Sequence, residues 1–363
     1  MSRLVPPYIE RLVPYVPGKP VEELERELGI KNALKLASNE NPMGPSPRAL
    51  EAIAKHLPET HRYPDAAAFR LRERLAAHHD IAMDEIIVGN GSNEIIDNLC
   101  RTFADATNHA VIGVPSFVYY KLGLIAANVP YTEVPLRDHL AWDVTALLAA
   151  VRPETSILFV AHPNNPTGAH VAKKDLERLM KELPERVVLV MDEAYVEFAD
   201  APDFVSALTM RNLRERLLVL RTFSKAYGLA AIRVGYGIGP RAVIDYLNRV
   251  RAPFNCNALA QVAAIAALSD HEHVSNYVKL NRTERARVTN ALTKLGLKVG
   301  PSQANFVLVN FAKPGKEVYD SMLRLGVIIR PMPAPIDTWQ RITIGLPEEN
   351  DRLIAAVQQT LGA

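Results

Sequence analysis

The sequence predicts an α/β protein that has a large domain with a mostly parallel β-sheet flanked by helices, and a smaller α+β domain. Two observations support this prediction. In the middle of the 363-residue chain, short apolar runs alternate with longer amphipathic stretches, which is typical of β-α-β units. After Pro253 the alternation ends, and long helical patterns are followed by short strand patterns and a closing helix. With 48% hydrophobic and 23% charged residues, the chain is able to bury the core that two such domains need.

The alternating part of the chain provides the elements of the large domain. Strands are predicted at Glu85–Gly89, His109–Gly113, Ser156–Val160, Val187–Met191, Leu217–Arg221 and Val234–Ile238. Helices are predicted near Asn93–Ala104, Phe117–Ala127, Thr145–Ala150, Lys173–Glu182 and Arg241–Arg251. Because open parallel sheets bind ligands beyond the carboxyl ends of their strands, the residues that follow these strands are the first candidates for a functional site.

The C-terminal part predicts a different arrangement. Helices are predicted at Ala258–Ser269, Tyr277–Leu295 and Asp351–Leu361, and strands at Phe306–Asn310, Val327–Arg330 and Arg341–Ile344. We therefore expect a large domain at residues 31–254 and a small C-terminal domain at residues 255–363. Residues 1–30 are rich in proline and charge, and we expect them to pack on the small domain as an arm.

Composition and short patterns argue against several classes of protein. The net charge of +2 gives no electrostatic reason to expect a nucleic-acid or membrane partner. No apolar stretch is long enough to predict a signal peptide or a transmembrane helix. Two distant cysteines, Cys100 and Cys256, suit a reducing compartment, so we expect a cytoplasmic protein. The sequence DHEH at 270–273 is interpreted as a helix cap, and no metal is expected.

The first polar motif follows the predicted strand that ends at Gly89. Gly91, Ser92 and Asn93 begin the next helix, where glycine permits the close approach of a ligand and serine is a good N-cap. The free N–H groups of a helix start attract an anion such as phosphate, although a capped helix without a ligand is the alternative. Glu94 stands where a dinucleotide-binding motif has its third glycine, so that motif is not present.

Two further motifs follow the strands that end at Val160 and Met191. The sequence HPNNPTG at 162–168 forms a tight turn, and its Asn amides are able to donate hydrogen bonds to a ligand unless the turn is a plain loop. Asp192 directly follows an apolar strand, where a carboxylate is costly unless it meets a cation. Asp192 therefore predicts a buried positive partner, with a helix N-cap as the alternative, and Tyr195 adds a phenol nearby.

The fourth motif follows the strand that ends at Arg221. Thr222 and Ser224 place small hydroxyls beside Lys225, and Arg233 follows eight residues later. Hydroxyl and guanidinium groups suit a phosphate site, and a lysine beside it suits a reactive amine. A solvated surface lysine is the common alternative, but the neighbouring features favour the reactive amine.

Taken together, these motifs resemble the pyridoxal-phosphate (PLP)-dependent aminotransferases of fold type I, and within them the histidinol-phosphate aminotransferases. The resemblance rests on Pro163–Gly168, Asp192–Tyr195, Thr222–Lys225 and Arg233, and on the segments 14–20, 36–42, 62–65, 251–255 and 341–345. It covers nearly the whole chain. It implies a homodimeric PLP enzyme of histidine biosynthesis that interconverts histidinol phosphate and 2-oxoglutarate with imidazole-acetol phosphate and glutamate.

The resemblance also implies roles for individual residues at the cofactor ring. Lys225 would bond covalently to the cofactor aldehyde and then, once displaced, move a proton between the substrate carbon and the cofactor C4′ as a general acid and base. Asp192 would pair with the pyridine nitrogen and keep it protonated. Asn165 and Tyr195 would hydrogen-bond the 3′ oxygen, and Asn165 would also contact the substrate. Phe117 would stack on the ring as an aromatic face without a hydroxyl.

The phosphate of the cofactor is expected at the start of the helix after Gly89, with further donors on the segment that holds the lysine. The residues implied are Gly91, Ser92, Asn93, Thr222, Ser224 and Arg233. Tyr63 resembles the residue that reaches this phosphate from the partner subunit, so each active site would need both chains of a homodimer. Loop packing is the alternative role for Tyr63.

Substrate contacts are implied at three positions. Arg341 resembles the arginine that binds a substrate anion, and a guanidinium fits both the carboxylate of glutamate and the phosphate ester of histidinol phosphate. Arg330 is the second candidate cation for that phosphate. Tyr15, in the N-terminal arm, is expected to close over the substrate. The polar Gln340, which precedes Arg341, has no function that the sequence indicates.

Alternative activities remain open at this point. An aromatic amino-acid aminotransferase of the same fold needs a carboxylate-binding arginine too, and Arg341 would serve it equally well. A decarboxylase of the threonine-phosphate type is a related alternative. A catalytically inactive PLP-binding regulator is a remote one, because such proteins usually carry a DNA-binding domain and this chain has no basic patch for one.

Overall fold

The structure is a computed structural model that describes residues 4–15 and 17–362. Residues 1–3 and 16 of the predicted arm, and residue 363 of the predicted small domain, lie outside the described residues.

The α-helices are α1 (Pro7–Glu10), α2 (Val21–Leu28), α3 (Pro47–His56), α4 (Phe69–His79), α5 (Ser92–Phe103), α6 (Val118–Ala126), α7 (Val144–Ala149), α8 (Lys173–Glu182), α9 (Arg241–Val250), α10 (Ala258–Leu268), α11 (His271–Lys294), α12 (Gly315–Arg324) and α13 (Pro347–Leu361). The strands are β1 (Leu34–Lys35), β2 (Ile86–Gly89), β3 (His109–Val114), β4 (Tyr131–Pro135), β5 (Thr155–Ala161), β6 (Val188–Asp192), β7 (Leu217–Thr222), β8 (Gly235–Ile238), β9 (Lys298–Val299), β10 (Phe306–Asn310), β11 (Val327–Ile328), β12 (Arg330–Pro331) and β13 (Trp339–Thr343).

The largest sheet has seven strands in the order β2-β8-β7-β6-β5-β3-β4, which confirms the predicted α/β fold. The pairs from β4 to β7 are parallel, and β8 is antiparallel to both β7 and β2. The carboxyl ends of β5, β6 and β7 therefore meet at one edge of the sheet. The reversed β8 begins at that same edge, where Gly235 lies opposite Gly89 and Thr222.

The hydrophobic core around the seven-stranded sheet lies on both faces of its central strands. Residues 157–160 of β5 are fully buried, which explains why the strand is a continuous apolar run in the sequence. Helices cover each face with an apolar stripe. In α8, for example, Leu176, Leu179 and Met180 are buried at the three- and four-residue spacing of one helical face, while its other residues are charged or polar.

The C-terminal part contains a four-stranded antiparallel sheet of order β12-β13-β10-β9. The predicted strand at Val327–Arg330 divides into β11 and β12, because its first half pairs with β1 and its second half pairs with β13. Helix α11 begins six residues before the predicted Tyr277. The reason is Asp270, which caps the helix by accepting a hydrogen bond from the backbone N–H of His273.

The N-terminal residues contact both the helices of the seven-stranded sheet and the C-terminal part of the chain. Helix α1 lies against α6, whereas Leu24 of α2 packs with Ile328 and Leu323 of the C-terminal part. Strand β1 pairs with β11 in parallel. The residues that follow, Leu36–Glu40, run between the two sheets, and we call them the bridging segment.

Neither a membrane span nor a metal cluster occurs in the part of the chain that the structure describes. No helix there has the length and apolarity needed to cross a membrane. No group of three or more His, Cys, Asp or Glu side chains there is arranged to hold a metal ion.

Candidate active site

A cavity of about 300 Å³ opens at the carboxyl edge of the seven-stranded sheet. It lies between the ends of β5, β6 and β7, the start of α5, the bridging segment and β13. Most of the residues that the sequence singles out line this one cavity: Tyr15, Ser92, Asn93, Phe117, Asn165, Asp192, Tyr195, Thr222, Ser224, Lys225, Arg233 and Arg341. Residues from seven separate segments of the chain are thus brought together, as expected for an open α/β sheet.

Lys225 reaches the cavity from the turn after β7. Its Nζ donates a hydrogen bond to the backbone carbonyl of Ser38, at 3.1 Å. Burial lowers the pKa of the Lys225 ammonium to about 8, and the positive charges of Arg341 and Arg233 add to this effect. A lysine with this pKa has an appreciable unprotonated fraction near neutral pH, which is the form that attacks a carbonyl.

Asp192 is the last residue of β6 and is 5% exposed. Its Oδ2 accepts a hydrogen bond from the Tyr120 hydroxyl at 2.7 Å, and its Oδ1 accepts one from the backbone N–H of Ala194 at 3.2 Å. Burial raises the pKa of the carboxyl to about 6, against the lowering effect of these hydrogen bonds. Among the described residues no Lys, Arg or His forms an ion pair with Asp192, so the cation that its position predicts is not a side chain there.

Arg341, Asn165 and Tyr195 line the same cavity as the lysine. Nη1 of Arg341 donates to the Asn165 Oδ1 at 2.6 Å, and Nη2 donates to the carbonyl of Ala37 at the same distance. The ring of Tyr195 lies 5.8 Å from the Lys225 Nζ. Burial raises the pKa of the Tyr195 phenol, so this group remains a hydrogen-bond donor at neutral pH.

The start of α5 and Arg233 lie side by side at the cavity. Gly91 is the N-cap residue of α5 and has a φ of +75°. A Cβ atom at this position would collide with the guanidinium of Arg233, so glycine is needed for the arginine to lie against the helix start. The buried hydroxyls of Thr222 and Ser224 line the same end. A helix N-terminus, a guanidinium and hydroxyl donors together suit a phosphate group.

Three of the predicted site residues do not line the cavity. Gly91 lies at the start of α5 against the guanidinium of Arg233. Tyr63 is 83% exposed and stacks on the ring of Phe254, with ring centroids 4.7 Å apart. Arg330 lies beside the site, where its guanidinium is 5.4 Å from the ring centroid of Tyr15.

Of the two neighbouring Asn amides in the 162–168 turn, only one faces the cavity. Asn164 is fully buried, and its Nδ2 donates to the carbonyl of Pro115 at 3.0 Å and to the Thr167 hydroxyl at 2.9 Å. Asn164 therefore fixes the shape of the turn, and Asn165 is the amide available to a ligand.

Tyr120 and the pair Glu193–Arg221 are important residues that the sequence did not indicate. Tyr120 lies on α6, is 1% exposed, and makes an edge contact with Phe117 in addition to its hydrogen bond with Asp192. Glu193 is fully buried and pairs with Arg221 at 2.6 Å. This ion pair connects the ends of β6 and β7, directly behind the residues that carry the carboxylate and the lysine.

Gln340 has a structural explanation. It is fully buried on β13, and its Nε2 donates to the carbonyl of Gly315 at the start of α12, at 2.9 Å. The side chain points away from the cavity that its neighbour Arg341 lines. Gln340 thus connects β13 to α12 and has no contact with the candidate site.

Comparison with known proteins gives consistent matches. A sequence model of the family described as aminotransferase class I and II matches residues 31–357. The histidinol-phosphate aminotransferase of Anaeromyxobacter sp. (strain Fw109-5) is 44% identical over 362 residues, which cover 99% of this chain and 100% of that protein. Histidinol-phosphate aminotransferase 2 of Pseudomonas aeruginosa is 45% identical over 363 residues, covering 99% of this chain and 98% of that protein. The crystal structure of histidinol-phosphate aminotransferase from Sinorhizobium meliloti in complex with pyridoxal-5'-phosphate is similar with a TM-score of 0.91 and 28% identity, over 100% of this chain and 98% of that chain.

Proposed function

The chain belongs to the aminotransferase class I and II family, and on this premise we propose that it interconverts histidinol phosphate and 2-oxoglutarate with imidazole-acetol phosphate and glutamate, a reaction of histidine biosynthesis. The observation that carries the proposal is identity of 44% and 45%, over nearly full length, to two proteins named as histidinol-phosphate aminotransferases. The cavity supports it independently, because a lysine of lowered pKa and a buried carboxylate face the same space.

The residues of the cavity fit PLP as the cofactor. Asp192 is a buried carboxylate that forms no ion pair among the described residues, which suits the positively charged nitrogen of a pyridine ring. The close approach at Gly91 leaves Arg233 and the start of α5 side by side, which suits the phosphate. Phe117 lines the same cavity and offers an aromatic face to a flat ring.

Each residue of the cavity has a separate role in the proposed reaction. When bound, PLP supplies an aldehyde that captures amino groups and a ring that accepts electrons from the substrate carbon. Lys225 would hold the cofactor through Nζ, and its freed amine would move a proton between the substrate carbon and the cofactor C4′. Asp192 would keep the ring nitrogen protonated, and Tyr120 holds the Asp192 carboxylate in place. Asn165 and Tyr195 would hydrogen-bond the 3′ oxygen of the ring.

The substrate anion binds Arg341. Its Nη1 donates to Asn165 and its Nη2 donates to the bridging segment. Each Nη atom carries a second N–H, and an incoming carboxylate or phosphate ester that accepts from these N–H groups gains a strong, charge-assisted interaction. Arg330, whose guanidinium is 5.4 Å from the ring centroid of Tyr15, would be the second cation on the phosphate ester of histidinol phosphate, and Tyr15 would close over the substrate.

Arg341→Ala is expected to weaken both substrates, because the guanidinium serves a carboxylate in one and a phosphate ester in the other. We expect kcat/KM to fall about 10- to 100-fold for glutamate and for histidinol phosphate, as for a lost hydrogen-bonded ion pair. Steady-state kinetics with each substrate provide the measurement, with the PLP content of the variant as the control. An unchanged KM for both substrates would remove Arg341 from the substrate site.

The assembly we propose is a homodimer in which Tyr63 of each chain reaches the phosphate site of the other. Its support is the exposure of Tyr63, which is 83% in the single chain, and its stacking on Phe254, which leaves two aromatic rings on the surface. We also propose the division into residues 1–30, 31–254 and 255–363. The two buried, free cysteines fit a cytoplasmic protein, which completes the proposal.

A substrate panel tests the proposed activity. Purified protein with added PLP is supplied with 2-oxoglutarate and, in separate reactions, histidinol phosphate, phenylalanine or threonine phosphate, and glutamate formation is measured. We expect a clear preference for histidinol phosphate. A preference for phenylalanine would instead establish an aromatic aminotransferase, carbon dioxide release from threonine phosphate would indicate a decarboxylase, and no turnover in PLP-loaded, folded protein would indicate a regulator.

A further inference from the structure

Consecutive residues of the bridging segment contact two cations of the cavity, Arg341 and Lys225. The carbonyl of Ala37 accepts a hydrogen bond from Arg341 on β13, and the carbonyl of Ser38 accepts one from Lys225 after β7. Asn39 is the next residue and is 1% exposed. Its φ of +55° is in the left-handed region, which Asn adopts more readily than most residues other than glycine.

Each polar group of Asn39 has a partner. The backbone N–H donates to Oγ1 of Thr343 at 2.9 Å, and the backbone carbonyl accepts from Nδ2 of Asn305 at 3.1 Å. The side-chain Oδ1 accepts from Oγ1 of Thr343 at 3.2 Å, and Nδ2 donates to the hydroxyl oxygen of Tyr195 at 2.9 Å. Thr343 lies on β13, two residues after Arg341.

These contacts fix the direction of every hydrogen bond between β13 and Tyr195. The Thr343 hydroxyl accepts from a backbone N–H, so its own proton is directed to the Asn39 Oδ1. With Oδ1 occupied in this way, the NH₂ group of the amide must face Tyr195. An amide nitrogen only donates, so the Tyr195 oxygen acts as the acceptor and its own proton must point elsewhere.

We infer that Thr343 and Asn39 are positioning residues whose hydrogen bonds direct the hydroxyl proton of Tyr195 into the cavity, toward the 3′ oxygen of the bound ring. This inference rests on the proposed function and extends it to two residues to which the proposed function assigns no role. Tyr195 itself is 5% exposed and lines the cavity, so its hydroxyl has few other directions available. A phenol held as a donor favours a negatively charged ring oxygen, whereas a phenol turned toward Asn39 does not.

The visible absorbance of the PLP-loaded protein, titrated with pH, tests the inference. A hydrogen bond donated to a negatively charged oxygen lowers the pKa of the bound chromophore, so losing the donor raises it. Tyr195→Phe is expected to raise this pKa by about one unit. Asn39→Gly tolerates the left-handed backbone and removes the amide, and we expect a rise of the same sign. Thr343→Val removes the hydroxyl that orients the amide and that accepts from the Asn39 backbone N–H, but it keeps the amide itself, and we expect a smaller rise.

A double variant and a matched control distinguish an effect through Tyr195 from a general disturbance of the site. In the Tyr195→Phe background, Asn39→Gly is expected to produce no further shift, because it acts only through the phenol. Tyr277→Phe is the matched control: its hydroxyl accepts from Asn305 at 3.3 Å on the far side of the same network, and its removal is expected to leave the chromophore pKa unchanged.

The possible failures are distinguishable. A shift in Tyr195→Phe without a shift in Asn39→Gly or Thr343→Val overturns this inference and leaves the proposed function intact. No shift in Tyr195→Phe itself overturns the inference together with the proposed role of Tyr195. If the Asn39 variant does not fold, Thr343→Val decides the question alone, since valine keeps the shape of the side chain and removes only the hydroxyl.

Discussion

Lys225→Ala is expected to abolish transamination and to leave no PLP that borohydride reduction can attach to the chain. The side chain supplies both the amine that captures the aldehyde and the group that moves the substrate proton, so its loss removes two functions at once. A general acid and base alone contributes about 10²- to 10⁴-fold to a rate. The loss in kcat should therefore exceed this range. Activity assays and mass spectrometry after reduction are the two measurements.

Lys121→Ala is the matched control for this variant. Lys121 pairs with Glu133 on the surface, at 2.8 Å, and does not line the cavity. It should retain the covalent cofactor and the activity. The rate at which the cofactor-free protein captures PLP should also rise with pH through about 8 and level off above it, because half of Lys225 is unprotonated at its pKa of about 8 and nearly all of it at higher pH. Reducible cofactor on the Lys225→Ala chain would show that another amine binds it.

Asp192→Asn is expected to leave the fold intact and to lower kcat by several orders of magnitude. The amide carries no charge, so it does not keep the ring nitrogen protonated, and electron withdrawal from the substrate carbon is lost. Steady-state kinetics measure the loss, and PLP affinity, which the phosphate end largely supplies, should change less. A variant with nearly normal kcat would show that the ring is protonated by other means.

The same substitution should stabilise the cofactor-free protein at neutral pH. Burial raises the pKa of Asp192 from its ordinary 3.8 to about 6, so between these values the folded state retains a proton that the unfolded state has lost. The free energy of unfolding therefore falls as pH rises through this window, and the loss is complete above about pH 6. Asp192→Asn avoids this loss. We expect a gain of about 1–3 kcal/mol at pH 7 in urea unfolding, and little or none at pH 4.

The sequence predicts those parts of the fold that are buried on both faces. Strands β5, β6 and β7 are apolar runs between helical patterns, so their positions follow directly from the sequence. The edge strand β4 was missed because only Val134 within it is buried, which leaves no apolar run to detect. The direction of β8 was not predicted either, since an apolar run has the same appearance in a parallel and an antiparallel strand.

The candidate site was predicted where its residues lie at the end of a strand or in the turn that follows it. Asp192, at the end of β6, and Lys225, in the turn after β7, are such residues, and the geometry of a parallel sheet brings them to one edge. Tyr120 was missed because it lies within an apolar helix and has the appearance of a core residue. The contact of Asn39 with Thr343 was missed because it joins positions 304 residues apart, and no local pattern records such a pairing.

The bridging segment has a consequence for how the protein is made. It is synthesised well before its partners on β13, since Asn39 and Thr343 are separated by 304 residues. All strands of the seven-stranded sheet have been synthesised once Ile238 has emerged, but Arg341 and Thr343 are then still missing. A nascent chain thus carries Lys225 before it has the residues that complete the pocket, and a premature stop between Ile238 and Arg341 would release a chain that contains the lysine but lacks the arginine.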